Sequence, residues 1–147
     1  MRGLVQLCLI ISSAMFLDCG TEGEGEKDVK GVWPNGNPKE ERKEMGGGTV
    51  KVTTFHSNFK IHMSGKVVKT DEGEVKHGEW KSFYPNGVNW SVGNYNMGVD
   101  HGEYRTWHPN GNPNIIGHYT MGATTGKWQF LDSTGVVVKQ FDSTPQN

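Results

Sequence analysis

Charge excess, cysteines and long apolar runs are all scarce in this chain of 147 residues. Fifteen Lys and Arg stand against 16 Asp and Glu, a net charge of −1. The composition therefore carries no electrostatic footprint for nucleic acid or an acidic bilayer, and broad polyanion binding is not expected. The two cysteines, Cys8 and Cys19, both fall in the first 20 residues, so the rest of the chain cannot close an internal disulfide. No Gly-rich phosphate loop, His-Glu-x-x-His or Gly-x-Ser-x-Gly motif occurs, and Gly46, Gly47 and Gly48 lack the lysine and helix start of a phosphate site. Aliphatic residues are sparse, whereas glycine, at 21 residues, is about twice its usual share. Many short strands and turns, rather than a thick core, fit that balance.

The one apolar run, Leu4 to Leu17, follows the positive Arg2. It is too short to cross about 30 Å of hydrocarbon as a helix and reads as an export signal over residues 1–18. Phe16, Leu17, Asp18 and Cys19 resemble the lipobox of bacterial lipoproteins, although Asp18 stands where that pattern has a small residue. The resemblance implies lipidation at Cys19, and a diacyl anchor there would hold the chain stably on a membrane. Ordinary secretory cleavage after Ser12, Ser13 and Ala14 is the alternative, leaving a secreted or periplasmic protein. Residues 19–30, polar and glycine-rich from Thr21 to Lys27, have the composition of a flexible tether.

Beyond the tether the chain repeats. Trp80, Tyr104 and Trp128 stand 24 residues apart, each two residues after a glycine, Gly78, Gly102 and Gly126. Such a period marks a unit that buries its apolar side only by stacking on neighbours. Each unit reads as a hairpin: Pro85 suits the second position of a type I turn, Asn86 the third, and Gly87 the positive-φ position that closes it with a bulge. Pro109, Asn110 and Gly111 repeat that turn, and the third copy decays to Ser133, Thr134 and Gly135, as a C-terminal cap would. Residues 72–147 are thus the repeat array. Residues 31–71 read as degenerate repeats that form the N-terminal part of the sheet, with an orphan turn at Trp33 to Gly36. Thr49 to Thr54 and Phe59 to Met63 have strand character, continued by Gly65 to Lys69. The charged, then glycine-only stretch Lys39 to Gly48 argues for a loop.

Gly78, Trp80, Phe83, Tyr84, Asn86, Gly87, Tyr95 and Gly98, then Gly102, Tyr104, Trp107, Asn110, Gly111, Tyr119 and Gly122 resemble the MORN-like repeats, in particular the bacterial YwqK-type antitoxin components. The resemblance covers Glu72 to Phe141. It implies an all-β fold, an elongated antiparallel meander of stacked hairpins of about 24 residues in a single-layer sheet; because the repeat is a scaffold, it says little about function.

Strand parity puts Trp80, Ser82 and Tyr84 on one face and Lys81 and Phe83 on the other. The ladders Trp80/Tyr104/Trp128 and Phe83/Trp107/Leu131 then occupy opposite faces unless a bulge intervenes. Packing over the strand glycines Gly93 and Gly117 accounts for such ladders structurally. The functional reading is an exposed aromatic surface drawn from Trp80, Phe83, Tyr84, Trp90, Tyr95, Tyr104, Trp107, Tyr119 and Trp128. His77 and His101 share a repeat position, as do Glu79 and Glu103. Equivalent positions lie two strands, about 9.5 Å, apart, too far to share a zinc ion, and a flat sheet offers no cleft to shift a carboxylate. No catalytic residue, metal or cofactor is expected. The expected function is an envelope-anchored scaffold, weakly placed at the outer membrane because Gly20 is not an aspartate, that binds a protein partner. A glycan- or choline-binding module and an antitoxin-like neutralising protein remain as alternatives.

Overall fold

The structure is a computed structural model describing residues 27–144. The signal run, Cys19 and the first part of the tether lie outside the described residues. Eleven strands make one sheet: β1 (Lys27–Val29), β2 (Glu40–Gly46), β3 (Thr49–Phe55), β4 (Ile61–Thr70), β5 (Gly73–Phe83), β6 (Asn89–Asn96), β7 (Val99–Asp100), β8 (Gly102–Trp107), β9 (Pro113–Thr120), β10 (Ala123–Leu131) and β11 (Val137–Asp142). They follow sequence order from β1 to β11, every pair antiparallel, with the short β7 beside β6. Among the described residues there is no helix. The chain is thus an all-β meander of hairpins in one open sheet.

Two segments depart from the expectation. Lys39 to Gly48 is not a loop: Glu40–Gly46 is β2, paired with β3 from Glu40↔Thr54 to Gly46↔Thr49. Its charges are tolerated because this near-edge strand is solvated and ion-paired, with Arg42 bound to Glu40 at 3.1 Å and to both oxygens of Glu74 at 2.6 Å. Gly47 and Gly48, both at positive φ, make the two-residue turn. Phe59 is the second departure. It lies not in a strand but in a turn at φ 64°, its ring stacked on Phe55 at 5.1 Å. The end of the expected tether, Lys27–Val29, forms β1.

Along one edge of the sheet, five turns share a single hydrogen-bond pattern. In each, the fourth residue donates its N–H to the carbonyl of the first, and the first donates to the carbonyl of the fifth: 33–37, 56–60, 84–88, 108–112 and 132–136. Side chains then link each turn to the next. The ring donors are Trp33 Nε1 to Phe55 O (3.1 Å), His56 Nε2 to Phe83 O (2.9 Å), Tyr84 OH to Trp107 O (2.9 Å) and His108 Nε2 to Leu131 O (2.9 Å). A carbonyl only accepts, so both histidines carry their proton on Nε2. Two residues further on, Asn35, Asn58, Asn86 and Asn110 donate Nδ2 to the carbonyls of Ser57, Pro85, Pro109 and Ser133 at 2.7, 2.9, 3.5 and 2.7 Å. The asparagine Oδ1 also accepts an N–H within its own turn. Within the described residues no turn follows 132–136, and there the donors disappear. Asp132 instead accepts bonds at its own carboxylate from Thr134 Oγ1 at 2.6 Å, Val136 N at 3.0 Å and Thr134 N at 2.9 Å, the hydroxyl foremost among the bonds that hold its pKa below the ordinary carboxylate value.

One face holds the core. Val50, Val52, Val67 and Trp80 are buried together, with Met63 and Tyr95 packed against them. Further along, Trp128 stacks on Tyr104 at 6.1 Å and on Phe141 at 6.1 Å, with Tyr119 edge-on at 5.0 Å. A buried tryptophan removes roughly 150–250 Å² from water, on the order of 4–6 kcal/mol as an upper limit.

Candidate interaction faces

The aromatic residues divide between the two faces of the sheet, and what each can do follows from its burial. Trp80 and Trp128 are 6% and 4% exposed. Each lies over a glycine of the preceding strand in the meander: a Cβ on Gly65 would stand 2.2 Å from the Trp80 ring, and one on Gly117 would stand 2.3 Å from the Trp128 ring. Gly93 serves Tyr104 more loosely, at 3.5 Å. These two tryptophans belong to the packed layer and are not available as binding surface. Tyr95, Tyr104 and Tyr119 are half-buried in the same layer, and burial raises the pKa of all three hydroxyls. Trp80 donates Nε1 to Lys66 O at 2.9 Å, whereas Trp128 Nε1 is buried without a partner. The glycine on β4, Gly65, was not singled out from the sequence, because the longer β4–β5 hairpin moves it off the 24-residue period.

The opposite face is open. Phe83 and Trp107 line a shallow cavity of 470 Å³ with Glu79, Lys81, Asn89, Val92, Glu103 and Arg105. Two equivalent ion pairs border it, Lys81–Glu79 at 2.9 Å and Arg105 Nε–Glu103 at 2.6 Å. A neighbouring cavity of 520 Å³ shares Phe83 and extends over Met45 and Ile61. The expected opposition of Trp80 and Phe83 therefore holds even though a bulge falls between Ser82 and Phe83. Tyr84 leaves the strand pattern: it begins the 84–88 turn, bonds Trp107 O and tilts against Trp90 at 6.2 Å, with Trp90 47% exposed. At the other edge, Met97 and Met121 are exposed and sit at φ 47° and 48° in two-residue turns.

No group of three or more His, Cys, Asp or Glu residues that could hold a metal occurs among the described residues. His77 and His101 each face a backbone N–H, that of Met97 at 3.4 Å and that of Met121 at 3.3 Å. No helix among the described residues is long and apolar enough to cross a membrane.

This architecture defines a class, the single-sheet repeat protein in which each hairpin is completed by the next. The repeat family described as MORN repeat variant matches residues 76–97 and 100–120, a span that holds Trp80, Phe83, Tyr104 and Trp107. Repeats of this kind are generally non-catalytic scaffolds that mediate protein or membrane interactions. No match was found among curated proteins or among solved structures.

Proposed function

We propose that this chain is an exported, lipid-anchored repeat scaffold of the cell envelope, at the outer membrane where one exists, that docks a protein partner and performs no catalysis. One observation carries the docking surface. The Trp80/Trp128 face spends its rings on packing, while Phe83 and Trp107 line open, shallow cavities rimmed by paired charges. Apolar centres with polar rims are the anatomy of protein interfaces. Export and anchoring rest on the apolar run Leu4 to Leu17 and on Cys19. The YwqK-type resemblance adds an antitoxin-like neutralising role as the reading to adopt if the chain is not exported.

Two measurements test this. The mature N-terminus from the native producer, weighed intact beside a Cys19→Ser variant, is expected to carry a diacyl-cysteine that the variant loses; an intact Met1 sinks the envelope reading. A photocrosslinker at Trp90 is expected to trap one envelope protein, and Phe83→Ala with Trp107→Ala to abolish that product. Tryptophan fluorescence that responds to neutral sugars or choline instead would favour the small-ligand alternative.

A further inference from the structure

The net charge near zero hides a segregation of charge between the two faces of the N-terminal half of the sheet. In antiparallel pairing, residues directly opposite each other share a face. The register partners Lys27↔Lys43, Lys43↔Lys51, Lys51↔Lys66 and Lys66↔His77 therefore form one continuous row across five strands. At 4.7–4.9 Å per strand the row is about 19 Å long and runs along the sheet, perpendicular to the strands. Like charges placed directly opposite are destabilising, and carboxylates do little to relieve them. Lys27 reaches Glu41 at 3.6 Å, and among the described residues Lys43, Lys51 and Lys66 make no ion pair. Several acids of these strands face the other way and are paired there: Glu40 and Glu74 with Arg42, and Glu44 with Lys69 at 2.6 Å.

The row also borders a container. Lys51, Lys66 and His77 line the 520 Å³ cavity together with Met45, Ile61 and Phe83, so cations stand beside an apolar floor. We propose that this trough binds a linear anionic glycan, a chain of sugar rings bearing about one carboxylate per residue, its charges on the lysines and its ring faces on Met45, Ile61 and Phe83. The shape of the charge selects this occupant. Of the acids on this face, Glu79 borders the same cavity but is paired with Lys81 at 2.9 Å, and Glu41 is paired with Lys27 at 3.6 Å; a narrow chain on the row meets these two paired acids, whereas a planar anionic membrane would also meet Glu103. An extended acidic peptide directs alternate side chains to opposite sides and brings no ring faces to cover Met45, Ile61 and Phe83. The inference goes beyond the docking of a protein partner and does not depend on it.

Isothermal titration of the full chain with oligogalacturonate, against neutral dextran, poly-glutamate and vesicles of phosphatidylcholine with phosphatidylglycerol, tests it. The expected result is salt-sensitive binding of oligogalacturonate in preference to the other three. Lys51→Gln with Lys66→Gln should weaken that binding about 5- to 30-fold, from about 0.5–1 kcal/mol for each exposed charge contact. Lys139→Gln, the same charge change on an exposed residue of the far edge strand, should leave it unchanged. Both lysines are exposed, and an unaltered thermal transition in the double variant would show that folding is not the cause. Equal or tighter binding of vesicles or poly-glutamate overturns the proposal, as does an undiminished affinity in the double variant. Binding that emerges only after Glu22, Glu24 and Glu26 are changed to Gln would also overturn it, assigning the row to the chain's own acidic segment.

Discussion

Replacing Gly117 by alanine should be among the most damaging one-methyl changes in this protein, and the matching change at Gly93 should be nearly silent. Neither glycine has a positive φ, so alanine is conformationally acceptable at both. The difference lies in the ring above. A Cβ at Gly117 would sit 2.3 Å from Trp128 Cδ2, whereas at Gly93 the nearest atom, Tyr104 Cδ2, is 3.5 Å away, an ordinary contact. With carbon pairs resting at about 3.5–4.0 Å, the indole must retreat by roughly 1.2–1.7 Å. Its neighbours obstruct that movement: Phe141 lies parallel at 6.1 Å, Tyr104 is stacked at 6.1 Å and Tyr119 is edge-on at 5.0 Å. Overpacking alone costs about 1–3 kcal/mol, and full expulsion of the ring has a ceiling of about 4–6 kcal/mol from area. We expect about 3 kcal/mol for Gly117→Ala. Gly93→Ala should fall within about 0.5 kcal/mol of zero, helped by the restricted unfolded chain. Urea unfolding followed by tryptophan fluorescence reads both, and a double-mutant cycle with Trp128→Ala isolates the cause. Once the indole is gone, the Gly117→Ala cost should largely vanish, a coupling of at least about 2 kcal/mol. A cost that persists without Trp128, or equal costs at Gly93 and Gly117, would refute the seating argument.

Other consequences are smaller. Asn110→Ala removes a 2.7 Å bond between turns and a 3.1 Å bond within one, and should cost about 1–2 kcal/mol by calorimetry; Asn86→Ala, whose contact between turns is 3.5 Å, should cost less. Met97→Asn should raise the melting temperature, because an exposed side chain at φ 47° gives way to a residue that tolerates the left-handed region, worth about 0.5–1 kcal/mol. The pKa of His62 is lowered, first by burial and then by the His56 ring 4.6 Å away. The unfolded chain therefore takes up a proton more readily, so this stability contribution is intact above pH 6.5 and is lost as pH falls below it. Denaturant midpoints for His62→Gln should accordingly vary less between pH 7 and 5 than those of the parent. The raised hydroxyls of Tyr95, Tyr104 and Tyr119 have the opposite sense for an acid: they stabilise below pH 10 and lose that contribution as pH rises above it, which an alkaline absorbance titration would show as late-ionising tyrosines.

The meander was legible because its signal is a spacing. Tryptophans and tyrosines 24 residues apart, each with a following turn, leave few arrangements other than stacked hairpins, and the opposition of Trp80 and Phe83 needs only the two-residue period of a strand. What was not legible depends on pairing between strands. Glu40–Gly46 carries too many charges to look like a strand until Glu74, 32 residues away, is placed beside Arg42. Phe59 occupies a position that glycine holds in the other four turns, so composition hides a turn that the hydrogen bonds reveal. The asparagines suggested turns, but their donation to the following turn could not be read from one unit alone.

The same reasoning explains why net charge does not reveal the lysine row. Lys43, Lys51 and Lys66 are 8 and 15 residues apart in sequence, with no common period, and become neighbours only when the registers of β2, β3 and β4 are fixed. A one-residue slip of β3 would send Lys51 to the opposite face and bring Val50 or Val52 out of the core with it. The valines that hold the tryptophan face together are therefore what align the lysines on the other: burial of Val50, Val52 and Val67 fixes the register, and the register assembles the cationic row. Val52→Thr should accordingly test stability and anion binding together. The exchange should destabilise the sheet, yet as long as the chain remains folded the row should stay intact and oligogalacturonate affinity unchanged. A loss of affinity in a folded variant whose β3 register is shown unchanged by amide exchange would show that the register is not what aligns the charges.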